Sequence, residues 1–216
     1  MSVRPARSGR SDATRRRILE TAERLFAENG VASVSNRQIS EAAGQGNNTA
    51  VGYHFGTKVD LIRAIVRRHT ESIERRRLEM VERAASSPHP RDWILCLIRP
   101  LADHLDSLGN PTWFARFSAQ VMTDPTLREI LYEDALASPS LLRTLDGLQQ
   151  CLPELPVEVR LERSDMTRQL MVHMFAERER ALAELSTTPR SSWRAAAEGL
   201  ADAIVGLWLA PVTTRP

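Results

Sequence analysis

Ser35 to Lys58, SNRQISEAAGQGNNTAVGYHFGTK, leaves this chain few folds to choose from, because it sets two short helices around a tight polar turn and starts a third at once. Ser35 and Gln38 have the spacing of a capping box, in which each side chain covers the other residue's orphan amide, so a helix is expected to begin there. Ile39, Ala42 and Ala43 give that helix a narrow apolar face, and Gly44 stands where a left-handed residue would end it. Gln45, Gly46 and Asn47 make the turn. A second helix is expected from Asn48 to His54, with Val51 and Phe55 inward and Thr49, Gly52 and Tyr53 nearer solvent. Thr57 and Asp60 repeat the capping pattern at the third start, with Lys58 in its first turn. Such a helix-turn-helix places one helix in the DNA major groove.

The exposed side of the second helix carries donors and methyls instead of carboxylates. Asn pairs with an adenine edge, a Thr or Ala methyl meets a thymine methyl, and Tyr and His reach phosphate. Lys58 is the only lysine among 29 basic residues. A compact ammonium at a helix start suits a phosphate contact, although drift in an arginine-biased chain would also leave one lysine.

Charge follows the same division. Residues 1 to 80 hold 15 Lys/Arg against 9 Asp/Glu, a balance of +6, whereas residues 81 to 216 hold 14 against 18, a balance of −4. The basic part contains the helix-turn-helix, as phosphate neutralisation requires, although a solvated basic face is the plainer alternative. Residues 1 to 11 read as a disordered basic arm able to touch phosphate or the minor groove. Their positive charges precede no apolar core, so no signal peptide is expected. The stretch Ala201 to Val212 is too short to span a membrane and contains Asp202, so no membrane partner is expected and a cytoplasmic location is. Cys96 and Cys151 are isolated, which favours free thiols.

The periodicity predicts an all-α chain: a helix-turn-helix domain over 12 to 56 and a helical body over 57 to 216. Asp12 is the expected cap of a first helix to about Asn29, with Ile18, Ala22, Leu25 and Phe26 on one face. A connector from Thr57 to about Ala85 carries Leu61, Ile62, Ile65, Val66, His69 and Ile73. The next helix has a seam of Ile94, Leu97, Ile98, Leu101, Leu105 and Leu108, where Pro100 predicts a kink that opens ligand space or is only a bend. Further helices start near Pro111, Pro125 and Pro139, followed by a long helix to about Leu185 and a last one over Ser192 to Ala210. The final pair is apolar over more than one face, which a dimeric four-helix bundle explains and burial within a monomer explains too. Leu170, Met174, Leu200, Ile204 and Trp208 are the expected interface.

The motif ISEAAG, then AVGYHF, then GTK resembles the tetracycline-repressor (TetR) family of one-component bacterial regulators, over about residues 12 to 62. The turn QGNNT is one residue longer than the family's common form, and Gly52 takes its usual first tyrosine position. The resemblance implies an all-helical DNA-binding head and a C-terminal ligand-binding and dimerisation domain. It implies DNA contacts from Arg37, Thr49, Ala50, His54 and Lys58, to which the motif adds Gln45, Asn47, Asn48 and Tyr53. It also implies a homodimeric repressor of a near-palindromic operator in double-stranded DNA, released by a small-molecule effector. An activator or organiser without an inducer would use the same head. Trp93, Leu97, Trp113, Phe117, Met171 and Phe175, with His104, His173 and Arg116 as polar partners, are candidates to line a pocket or to be core packing. No nucleotide-binding, hydrolase or metal-ligand spacing occurs, so neither enzymatic activity nor a cofactor is expected.

Overall fold

The structure, a computed structural model, describes residues 6–46 and 49–212, with the side chains of 6–10 and Glu133 left aside. Among the described residues every regular element is a helix: α1 (Ala6–Asn29), α2 (Asn36–Ala42), α3 (Ala50–Phe55), α4 (Lys58–Ala84), α5 (Pro90–Leu108), α6 (Phe114–Thr123), α7 (Pro125–Leu136), α8 (Pro139–Cys151), α9 (Val157–Ala183) and α10 (Trp193–Leu209). No described helix is long and apolar enough to cross a membrane.

Local chemistry sets the head. Ser35 Oγ accepts from the Gln38 amide at 3.3 Å while Gln38 Oε1 accepts from the Ser35 amide at 2.8 Å, so both halves of the expected capping box are made. The Thr57 and Asp60 box is made likewise, at 3.1 and 3.0 Å. Gly44 has φ +66°, the left-handed conformation that ends α2 and that a side chain would strain. Ile18, Ala22 and Phe26 of α1 close over Ile39, Val51, Leu61, Ile62 and Ile65, all buried.

Two boundaries differ from expectation. The first helix is already formed at Ala6, six residues before Asp12, so the part of the expected arm from Ala6 onward is helical; residues 1–5 lie outside the described part. The added residues include Ala6, Arg7 and Arg10, good helix formers, which offset Gly9 as the helix extends past the cap. The helix expected from Pro111 starts at Phe114 instead. α5 runs unbroken through buried Pro100.

In the body, α5 is the central helix. α10 lies along it, burying Ala197, Leu200, Ala201 and Ile204, while its Trp193 and Trp208 meet Phe175 and Thr167 of α9; α8 crosses α5 at Gly147, where a Cβ would fall 2.4 Å from the Trp93 ring. α6 packs between α9 and α1 and so joins body to head: Phe117 of α6 stacks on Phe26 of α1 with centroids 6.1 Å apart. Cys96 is buried and Cys151 half-buried, both free, and burial pushes the Cys96 thiol up to about 11.

Candidate nucleic-acid interface

α3 has only six residues, and which of them reach solvent follows from what its inner side must fill. Val51 is fully buried, and Phe55 is half-buried beneath the Arg15 guanidinium, 4.1 Å from its ring centroid. Arg15 also donates to the His54 carbonyl at 2.5 Å, closing the end of α3. The Arg15 guanidinium of α1 thus holds the reading helix, a role that helical spacing alone did not reveal.

On the outer side, Tyr53 is 85% exposed and meets the half-buried His54 ring edge-on with centroids 5.0 Å apart. Thr49 is exposed at the helix start, and Gly52 lies beside open space. Arg37 projects from α2, and its hydrogen bond to Glu41 at 2.8 Å raises its pKa. Gln45 is half-buried, its amide donating to the Ala43 carbonyl at 3.0 Å, and this turns it toward its own turn. Asn47 and Asn48 lie outside the described residues.

Two expected contacts need correction. Ala50 is buried in the head core, because a helix this short must use both Ala50 and Val51 to seal against its neighbours; its methyl is unavailable to a base. Lys58 does not extend from the head: its ammonium donates to the Val31 carbonyl and lies 5.6 Å from the Phe26 ring centroid, and burial lowers its pKa. Lys58 pins α4 to the end of α1. Lys58→Ala is therefore expected to lower head stability by about 1–2 kcal/mol while leaving the salt dependence of DNA binding unchanged. Urea unfolding and titrations at several salt concentrations measure the two effects; a salt slope lower by about one would return the ammonium to phosphate.

The body candidates divide too. Trp93, Leu97, Phe117 and Phe175 are buried core: Trp93 lies against Gly147 of α8, Phe117 on Phe26 of α1 and Phe175 edge-on against Trp193 of α10. Arg116 is closed on buried Glu179 at 3.1 Å, Met171 is half-buried and His173 exposed. Trp113 lines a small cavity of about 190 Å³ with Glu23 and His69, whereas His104 is buried in a hydrogen-bonded chain. A larger groove of about 380 Å³ opens between α4 and the α7–α8 pair, lined by Val66, Ile73, Leu131 and Leu141 with Glu74 and Arg77 at its polar end. At that end, although burial pushes the Glu74 carboxyl up, hydrogen bonds from Ser138 at 2.6 Å and the Ser140 amide at 3.1 Å hold it below its ordinary value. None of the sequence candidates lines this groove, since its walls are α4, α7 and the start of α8, whereas the candidates lie on α5, α6 and α9 or at the α6 cap.

The expected interface is corrected for the same reason. Leu200, Ile204 and Trp208 are buried within the monomer, where α10 packs on the chain's own α5 and the Trp208 indole donates to Thr167 Oγ1 of α9 at 2.9 Å. Leu170 is half-buried and Met174 exposed on α9.

Comparison with known proteins meets this geometry in both parts of the chain. Residues 18–65 match the family model described as bacterial regulatory proteins of the tetR family, and residues 95–206, over half of the chain, match the tetracyclin repressor-like C-terminal domain. The chain belongs to the TetR family. It is a DNA-binding transcriptional regulator. The TetR match spans α5 to the C-terminal part of α10, so the body as well as the head is of family type. Among solved structures, this TetR-family chain is similar to NalD, the secondary repressor of the MexAB-OprM multidrug efflux pump in Pseudomonas aeruginosa. The two are 25% identical over 93% of this chain and 84% of that one, with a TM-score of 0.32. No curated protein sequence matches the chain.

Proposed function

We propose that this regulator is a homodimeric repressor whose two heads occupy successive major grooves of a near-palindromic operator, and that a small molecule taken up by the body releases it. The observation that carries this reading is the sidedness of the head: Val51 and Ala50 seal the core while Thr49, Tyr53 and Arg37 project from a segment with a charge balance of +6. Asn47 and Asn48 extend the same polar face in sequence, as adenine-reading groups. The groove between α4 and α7–α8 supports an effector site, since it is walled by apolar side chains and ends on the Glu74 contact that ties α4 to α8. A ligand there acts by preferring one spacing of α4 and α8 over another.

The homodimer is supported by the outer side of the last two helices. Ala203 and Gly206 are exposed small residues one turn apart on α10, and Met166 and Met174 are exposed on α9. Small residues let two helix pairs approach closely, as a four-helix bundle across a two-fold axis needs. Gly206→Arg tests this without disturbing the fold, because a Cβ at Gly206 meets nothing within 4 Å. Monomers in sedimentation are expected, with affinity for a duplex selected from a random library lower by about 10²–10⁴ as bivalence is lost. A persisting dimer with unaltered affinity would remove this interface. Footprinting of the selected duplex should show two protected half-sites about one helical turn apart; a single uninterrupted half-site would refute the paired-head reading.

A further inference from the structure

Three titratable side chains from three helices are buried together where head meets body. Glu23 of α1, His69 of α4 and His104 of α5 are each more than nine-tenths buried. Glu23 Oε2 lies 2.9 Å from His69 Nε2, and His69 Nδ1 lies 2.8 Å from His104 Nε2. Phe114 of α6 stacks flat on His69 at 3.8 Å between centroids. The chain ends at His104 Nδ1, which is buried and without a hydrogen-bond partner.

The geometry assigns the protons. With Glu23 ionised, His69 donates from Nε2 to the carboxylate, its Nδ1 accepts from His104 Nε2–H, and His104 Nδ1 is left a bare lone pair. One further proton cannot be accommodated as well. Placed on His104 Nδ1 it makes an N–H with no acceptor; relayed through Nε2 to His69 Nδ1, it puts the cation beside Glu23 but leaves His104 with that same bare N–H. Both arrangements favour moving the α5 end away from α4 so that His104 reaches water.

We propose that Glu23, His69 and His104 form a proton-operated latch between head and body: closed while His104 is neutral, and opened when His104 takes up one proton, with loss of operator affinity. This rests on the reading that the placement of the heads sets that affinity. A cavity of about 190 Å³ bounded by Glu23, His69, Trp113 and Pro111 borders the Glu23–His69 end of the chain, leaving His104 as its enclosed end.

The surrounding charges oppose protonation of the far histidine. From α1, Glu20 is closed on Arg68 of α4 at 2.9 Å, leaving Glu23 as the carboxylate of the chain. α4 also contributes Arg76, whose charge bears on His104, while Asp103 of α5 is drawn to Arg99 at 3.6 Å. From α6, Arg116 is closed on Glu179 of α9. Burial first, then His69 and Arg76, lower the His104 pKa from 6.5 to about 4. The sign follows: an opened His104 takes up a proton through 6.5 whereas the latched one does not until about 4, so acid favours the open form and neutral pH the closed one.

The test compares wild type with His104→Gln, which keeps a donor toward His69 but cannot titrate, on one duplex selected at pH 7.5, at constant ionic strength. Wild-type affinity is expected to fall by up to about tenfold per pH unit below 6.5, the limit for one linked proton, and His104→Gln to lose that part of the fall. Both proteins share every other residue, so the difference between their profiles isolates position 104. Parallel pH profiles from two folded proteins would overturn the latch. If His104→Gln does not fold, imidazole 15N titration of the wild-type protein decides: α1 and α5 amides shifting with His104 protonation support the latch, and a histidine that titrates without them overturns it. Failure to select any duplex would count against the DNA reading, and the 15N titration would still settle the latch.

Discussion

Glu179→Ala is expected to lower stability by about 3–5 kcal/mol, seen as a lower urea midpoint at unchanged slope. The Glu179 carboxylate is 1% exposed and accepts from the Ala115 amide at 3.1 Å, the Arg116 amide at 2.9 Å and the Arg116 guanidinium at 3.1 Å. It therefore closes the first turn of α6 from a neighbouring helix, since Trp113 at the α6 cap position makes no side-chain hydrogen bond there. Burial raises its pKa, and the α6 amides and Arg116 oppose that rise. Removing the carboxylate strands two amides at the buried start of α6 and leaves the half-buried Arg116 guanidinium only its bond to the Thr112 carbonyl at 3.0 Å. Adding Arg116→Leu to Glu179→Ala should recover only the guanidinium's share, because the amides stay bare; full recovery would show that α6 capping contributes nothing.

Phe117→Ala should cost a similar amount, about 3–5 kcal/mol, with Phe117→Leu costing less than about 1.5 kcal/mol. Phe117 is fully buried, and its ring lies 6.1 Å from Phe26 of α1 and 6.2 Å from Phe114 of α6 between centroids. The vacated space lies between head and body, where α1 and α6 are held apart by their own backbones and collapse is limited. Because Phe26 also lies under the Lys58 ammonium, the same substitution should loosen the head's seat on α4. Thermal unfolding and urea titration measure the first effect, and amide exchange in α1 the second; a loss under 1 kcal/mol would mean that the junction repacks.

Much of the head was legible because its determinants are close in sequence. Both capping boxes, the left-handed Gly44 and the stripe Ile18, Ala22, Phe26 are relations within three or four residues, and each formed as periodicity required. The body's breaks at Pro125 and Pro139 were legible for the same reason, since proline punctuates locally. Site residues were another matter. His69 sat visibly in the apolar face of α4, yet nothing local could say that Glu23, 46 positions earlier, and His104, 35 later, would meet it. Ala50 and Lys58 were placed by motif on the DNA side, but a six-residue helix must spend Ala50 on the core, and a nearby carbonyl claimed the ammonium.

By itself, then, the amino-acid order determined the helices, the capped and proline-marked ends among them, the division into a basic head and an acidic body, and the motif by which the family was recognisable. Those rest on propensity, capping and charge, which act over one or two turns. Only the tertiary structure decided which apolar face each body helix spends on the monomer, leaving small residues on the outside of α10 and a groove beside α4. It alone joined Glu23, His69 and His104 into one chain, because burial and pairing across helices depend on how distant segments divide a shared core.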